Sequence, residues 1–248
     1  MKKSVKWIAP VIALALLSGC GKTGDNASGS AATGNAAQAV AAPAGSDWVS
    51  TVVKTPEFGY RMGNPDAAVK LIEYAAFSCP HCARFAQESE DGLKAMVAKG
   101  TVSYELRPFL IHPQDLPATL LVGCNGPAPF FTIAHQLFSR QETWLANSST
   151  LTEGMVSSWS AQGEHVYAAQ MGAHLGLPAF VAPLGVGESK AMACMSDKAA
   201  IGGLRESAKI AETQFQVSST PTFIVNGAKA DINGTWAELE QRLRAAGA

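Results

Sequence analysis

The chain carries little charge of either sign: 19 Lys and Arg stand against 20 Asp and Glu in 248 residues, a formal net charge of −1. No basic stripe gathers on any segment, so nothing marks nucleic acid as a partner. Long apolar runs are missing as well. The most hydrophobic stretch, Trp7 to Leu17, is about half the length a bilayer span requires. Metal-ligand spacing is absent too: zinc normally takes four ligands, and no second Cys pair or His pair at short spacing accompanies Cys79 and Cys82. His112, His135, His165 and His174 share no spacing and read as ordinary surface or core residues. Large apolar residues are scarce between Gly21 and Ser46, a stretch of Ala, Gly, Ser, Thr and Asn that cannot build a core. It predicts a flexible tether with a root-mean-square reach of ~30 Å.

What the N-terminus does contain is a signal. Met1 to Lys6 holds three lysines, the apolar stretch follows, and Leu17-Ser18-Gly19-Cys20 closes it with small residues before a cysteine. That ending resembles a bacterial lipobox, which implies a signal peptide over 1–19, cleavage before Cys20 and a diacylglycerol on the Cys20 sulfur. Gly21 stands where inner-membrane lipoproteins often carry Asp, so either the inner or the outer membrane fits. The expected organisation is signal peptide 1–19, lipidated Cys20 with tether 20–46, and one domain over 47–248, long enough for a sizeable core.

That domain is organised around Val69 to Ala98. An apolar strand (Val69, Leu71, Ile72, Tyr74) runs into Cys79-Pro80-His81-Cys82, and an amphipathic helix with Phe85, Leu93, Met96 and Val97 on its apolar side follows. Proline suits the first helical turn, because the N–H it lacks has no partner there. Pro80 therefore places Cys79 at the N-cap, where free N–H groups and the positive end of the helix dipole favour thiolate over thiol. Cys79 is the predicted nucleophile. Cys82, one turn on and on the same face, is the partner that closes a small disulfide ring.

Five cysteines are present. With Cys20 given to lipid and Cys79 with Cys82 to redox chemistry, Cys124 and Cys194 remain, and two spare cysteines in an oxidising compartment usually pair.

Along the rest of the domain, Asp47 to Met62 reads as an edge strand and turn, and Gly63-Asn64-Pro65-Asp66 as a second turn. Val102 to Leu110 is a further strand, parallel to the first through the helical crossover, which should be right-handed. A helical stretch without convincing strands then extends to about Met195, predicting an inserted helical subdomain over about 111–196. Its aromatics, Phe130, Phe131, Phe138, Trp144 and Trp159, are read as core or domain contact. Asp197 to Phe215 is a long amphipathic helix. Ser219-Thr220-Pro221-Thr222-Phe223 leads into an apolar strand and an Asn226-Gly227 hairpin turn, with a return strand over Lys229 to Ile232 and a closing helix from Trp236 to Ala246.

Cys-Pro-His-Cys, the helix behind it, and Thr-Pro ahead of an Asn-Gly turn together resemble thioredoxin-fold proteins of the DsbA family, most of all their lipid-anchored thiol:disulfide interchange members. The resemblance covers Asp47 to the C-terminus and implies an α/β thioredoxin fold carrying an inserted helical subdomain. It implies that Pro221 is cis and faces Cys79, leaving the Thr220 backbone free to pair with a substrate chain like an added strand. It implies that Glu73 is the buried acid beneath the cysteines, able to carry a proton to or from Cys82. The His81 ring would supply a hydrogen bond or positive charge to the Cys79 thiolate, making the disulfide more oxidising.

The expected activity is disulfide donation, with no cofactor, to exported cysteine-containing proteins in the periplasm. Reoxidation by a membrane partner of DsbB type is implied by the family alone. Two rivals stay open. An isomerase or reductase on the same fold is one, although isomerases of this kind usually dimerise through an added N-terminal domain and Asp47 to Gly63 leaves no room for it. A metal-binding or scaffold module using Cys79, His81 and Cys82 for copper or zinc is the other.

Overall fold

The computed structural model describes residues 38–248. The expected signal peptide and Cys20 lie outside the described residues. From Gln38 onward six strands and ten α-helices are present. In chain order they are β1 (Val52–Lys54), β2 (Tyr60–Gly63), β3 (Val69–Ala75), α1 (Pro80–Ala98), β4 (Val102–Pro108), α2 (Asp115–Val122), α3 (Phe130–Ser139), α4 (Gln141–Leu145), α5 (Glu153–Ala161), α6 (Glu164–His174), α7 (Leu177–Val181), α8 (Glu188–Met195), α9 (Lys198–Phe215), β5 (Thr222–Val225), β6 (Ala228–Lys229) and α10 (Trp236–Ala245).

The strands form one sheet in the order β1-β2-β4-β3-β5-β6. β3 lies at its centre because it can be covered on both faces. Val69, Leu71, Tyr74 and Ala75 are buried, and so is Glu73, the one charged side chain the strand takes inside. β3 pairs with β4 in parallel, Val69 opposite Val102 and Ala75 opposite Pro108, as expected of a strand-helix-strand unit. It pairs antiparallel with β5, where Glu73 stands opposite Phe223.

α1 packs one face of the sheet through Phe85, Leu93, Met96 and Val97. α10 joins it there, and their contact turns on a glycine: a Cβ on Gly92 would meet the Trp236 ring at 2.4 Å. On the opposite face Ala211 of α9 packs with Tyr74, Phe109 and Ile224. Helices α2 to α8 run between β4 and α9, and Phe130, Ile133, Leu137, Phe138 and Trp144 are buried in the main core.

Three boundaries differ from the sequence reading. Asp47 to Met62 is not one edge strand but a hairpin, β1 against β2, turned through Phe58 at φ 61°. The stretch read as tether is anchored before Asp47: the Val40 N–H donates to Lys99 O at 2.8 Å, and Trp48 Nε1 donates to Val40 O at 2.7 Å. Backbone bonds of this kind need no large side chain, which is why composition did not reveal them. The return strand is only Ala228–Lys229, because Ala230 makes the last bond to Phe223 and Asn233 then turns to donate to Glu238 in the first turn of α10, which Thr235 caps.

Candidate active site

Cys79 is the N-cap of α1. Its backbone is extended (φ −77°, ψ 120°), Pro80 occupies the first turn, and the sulfur accepts from the Cys82 N–H at 3.4 Å. Cys79 is 3% exposed and Cys82 not at all, while Pro80 and His81 face solvent. The outer sulfur thus reaches the surface through a narrow opening.

The second wall of that opening is the loop before β5. The Thr220–Pro221 peptide bond is cis, and the Cys79 thiol donates to Thr220 O at 3.4 Å. The Thr220 hydroxyl is buried with no hydrogen-bond partner, leaving a donor free beside the sulfur. The Thr220 carbonyl accepts from a thiol, and its hydroxyl is placed to serve a thiolate.

The two sulfurs titrate far apart. The Cys82 thiol, which keeps its proton, donates to the Cys79 sulfur and is the main reason Cys79 is brought down to about 5; the Thr220 side chain and the backbone N–H groups of Cys82 and His81 add to it, against the cost of burial. Cys82 is pushed strongly upward, chiefly by burial, then by the hydrogen bond to Cys79 and the nearby Glu73 carboxylate. One cysteine is a ready thiolate and the other a held thiol.

Glu73 lies beneath the pair, 2% exposed. Burial pushes its carboxyl up to about 8; the Tyr104 hydroxyl, which donates to Oε2, pulls it back, and the Cys79 charge adds to the rise. At neutral pH this acid mostly holds its proton.

The His81 ring is exposed and makes no hydrogen bond among the described residues; the part of His81 that bears on the thiolate here is its backbone N–H. A residue at the second helical position points its side chain outward while its amide faces the N-cap.

Other residues hold the site in place and were not singled out in the sequence. Asp115, fully buried, accepts the Ser78 N–H at 2.8 Å, the Ser78 hydroxyl at 2.9 Å, and the Ile111 and His112 N–H groups at 3.0 and 2.8 Å. His112 Nδ1 meets the same Ser78 hydroxyl at 2.8 Å. Gln141 of α4 donates to Phe77 O at 2.8 Å and Cys79 O at 3.0 Å. The helical insertion therefore ties down the loop that presents Cys79. Asp115 had a faint signal, an acid in the first turn of a helix; Gln141 had none.

Cys124 and Cys194 are joined as a disulfide between the end of α2 and α8, with Cα atoms 5.8 Å apart. Among the described residues no three His, Cys, Asp or Glu side chains converge as a metal donor set, and no helix is long and apolar enough to cross a membrane.

A thiolate at a helix start, a held thiol one turn on and a cis-proline loop across from them, all set on this sheet, define a thioredoxin-like fold. The Thioredoxin family model matches residues 55–245, and the chain belongs to that family. A protein-disulfide isomerase from Novosphingobium aromaticivorans is 29% identical, with a TM-score of 0.71 over 75% of this chain and 96% of that one. Wolbachia pipientis alpha-DsbA1 shares the fold at 18% identity and a TM-score of 0.60, covering 79% of this chain and 94% of that one. A Rickettsia bellii protein provisionally named a protein-disulfide oxidoreductase is 25% identical over 191 residues, 73% of this chain and 63% of its own length. The chain thus spans under two thirds of that relative.

Proposed function

We propose that this protein is an exported thiol:disulfide oxidoreductase that donates the Cys79–Cys82 disulfide to cysteine-containing proteins. The observation that carries the reading is the asymmetry of the two sulfurs, Cys79 brought down to about 5 and Cys82 driven upward. A substrate thiolate attacks the Cys79 sulfur, the Cys79–Cys82 bond breaks, and the electron pair leaves on Cys82, which takes a proton from Glu73. A second substrate thiolate then attacks the substrate sulfur of the mixed disulfide and expels Cys79 as a thiolate already stabilised by Cys82, Thr220 and the α1 N-terminus.

Stabilising that thiolate stabilises the reduced enzyme, which makes the disulfide a stronger oxidant. Relative to an ordinary thiol, a Cys79 value of about 5 raises the potential at pH 7 by ~60 mV. The half-buried cis Thr220–Pro221 edge suits an extended substrate segment pairing by its backbone. In this reading Cys20 carries the lipid, the domain works in the periplasm at either membrane, and a membrane oxidant of DsbB type restores the disulfide.

The isomerase named among the structural relatives supports a second reading, in which the same pair reshuffles disulfides. Oxidative refolding of a reduced, disulfide-containing protein separates them. A donor speeds formation of the first disulfides when supplied oxidised and in stoichiometric amount. An isomerase acts only on a scrambled substrate and only when supplied reduced.

A further inference from the structure

Tyr104 belongs to two environments. Its hydroxyl donates to Glu73 Oε2, and Tyr104 is among the residues lining a cavity of about 550 Å³ between β1, β2, β4, α1 and α3. Phe131 packs beside it at 5.5 Å between ring centroids. Ser89, Glu90, Lys94 and His135 give that cavity a polar side, Glu90 pairing with Lys94 at 2.6 Å and with His135 at 3.4 Å. A space of this size with polar partners can hold water. Glu73 itself is sealed from solvent. The groups that bear on it are Cys79 and Cys82 from α1 and Tyr104 from β4, while its partner on β5, Phe223, is apolar.

We propose that Tyr104 is a positioning residue for disulfide exchange, holding the Glu73 carboxyl beneath Cys82 and linking it to water in the cavity. The inference rests on the exchange activity proposed above. When the Cys79–Cys82 bond opens, the electron pair goes to the Cys82 sulfur, the Glu73 proton follows it, and a carboxylate remains. Tyr104 gives its proton to that carboxylate as it accepts one passed through cavity water from hydronium or a buffer acid in bulk solvent. Closure runs the other way. Glu73 carboxylate takes the Cys82 proton, the Cys82 thiolate attacks the Cys79 sulfur of a mixed disulfide, and the substrate leaves as thiolate.

A hydrogen bond donated to a buried carboxylate favours its charged form. Tyr104→Phe removes that bond, so Glu73 stays protonated to higher pH. The experiment loads Cys79 with glutathione and follows glutathione release by Cys82 across pH. In Y104F the rising limb should move up by about one pH unit, and release at pH 7 should slow about tenfold. Far-ultraviolet circular dichroism confirms that the variant is folded. In a Glu73→Gln background the Y104F shift should vanish.

A folded Y104F protein with an unmoved profile overturns the proposal, as does a shift that persists without Glu73. If Y104F does not fold, infrared difference spectra of the unaltered protein against E73Q decide. A hydrogen-bonded carboxyl band present at pH 7 and lost toward pH 8 supports the role. A band without hydrogen bonding, or one already lost in the usual carboxylate range, overturns it. Failure of the unaltered protein to exchange with glutathione at all would instead strike the proposed function, and the infrared result would still be readable.

Discussion

Cys79 and Cys82 stand three residues apart at the mouth of a helix, whereas Cys124 and Cys194 stand 70 residues apart and join two helices of the insertion. The first pair has a helix N-terminus, a free hydroxyl and a buried acid around it. The second has the backbone carbonyls of Lys190 and Cys124 beside its sulfurs. The difference teaches that redox character comes from the surroundings of a sulfur and not from its being a cysteine. In the function proposed above, the short ring at a helix start holds the reactive bond and the long loop a structural one.

The sharpest way to break this contrast is to remove sulfurs from each pair in turn. Cys79→Ser should abolish thiol exchange, a loss of at least about a thousandfold, with the fold intact by circular dichroism. Cys82→Ser should instead trap mixed disulfides on Cys79, visible as mass adducts. Cys124→Ala with Cys194→Ala should leave exchange rates near those of the parent while lowering unfolding free energy by up to ~4 kcal/mol, the chain-entropy value for a loop of this length. Chemical denaturation with the active pair kept oxidised measures it.

A smaller effect sharpens the contrast through pH. Glu73 holds its proton up to about 8 in the folded protein against an ordinary 4.5, so its contribution to stability is full below 4.5 and is lost as pH rises toward 8. Cys79 behaves in the opposite sense. Its value falls from 9.0 to about 5, so its contribution is full above 9 and is lost as pH falls through 5. In the reduced protein the two slopes largely cancel, and stability between pH 5 and 8 should be nearly flat. In the oxidised protein the Cys79 contribution is gone and the burial of Glu73 still raises its value, so stability should decline over that window. Glu73→Gln should remove the decline and raise the stability of the oxidised form at pH 7 by at most ~3 kcal/mol. Denaturant midpoints across pH, in both redox states, read it out.

Much of this was legible in residue order, for local reasons. Cys-Pro-His-Cys after an apolar strand specifies an N-cap, because proline at the first turn has few other uses. The alternation of Val102, Tyr104 and Leu106 marked β4 as a strand, and the spacing of Phe85, Leu93, Met96 and Val97 marked the buried side of α1. What stayed hidden is non-local. Ser78 and Asp115 meet across 37 residues, Gln141 and Cys79 across 62, and Glu73 and Tyr104 across 31. No spacing announces such pairs, because the sheet and the insertion bring them together. His81 shows the reverse case: a titratable ring between two cysteines draws attention, while the helix turns the ring outward and the amide inward.

The most direct test equilibrates the full chain with glutathione buffers and reads each cysteine pair separately by alkylation and mass. Cys79 and Cys82 should change state reversibly at an oxidising poise, nearer the DsbA value of about −120 mV than the thioredoxin value of about −270 mV, while Cys124–Cys194 stays closed throughout. Exchange at Cys124–Cys194 at the same poise, or a Cys79–Cys82 pair that opens only at the thioredoxin end, would contradict the division of labour between the two pairs.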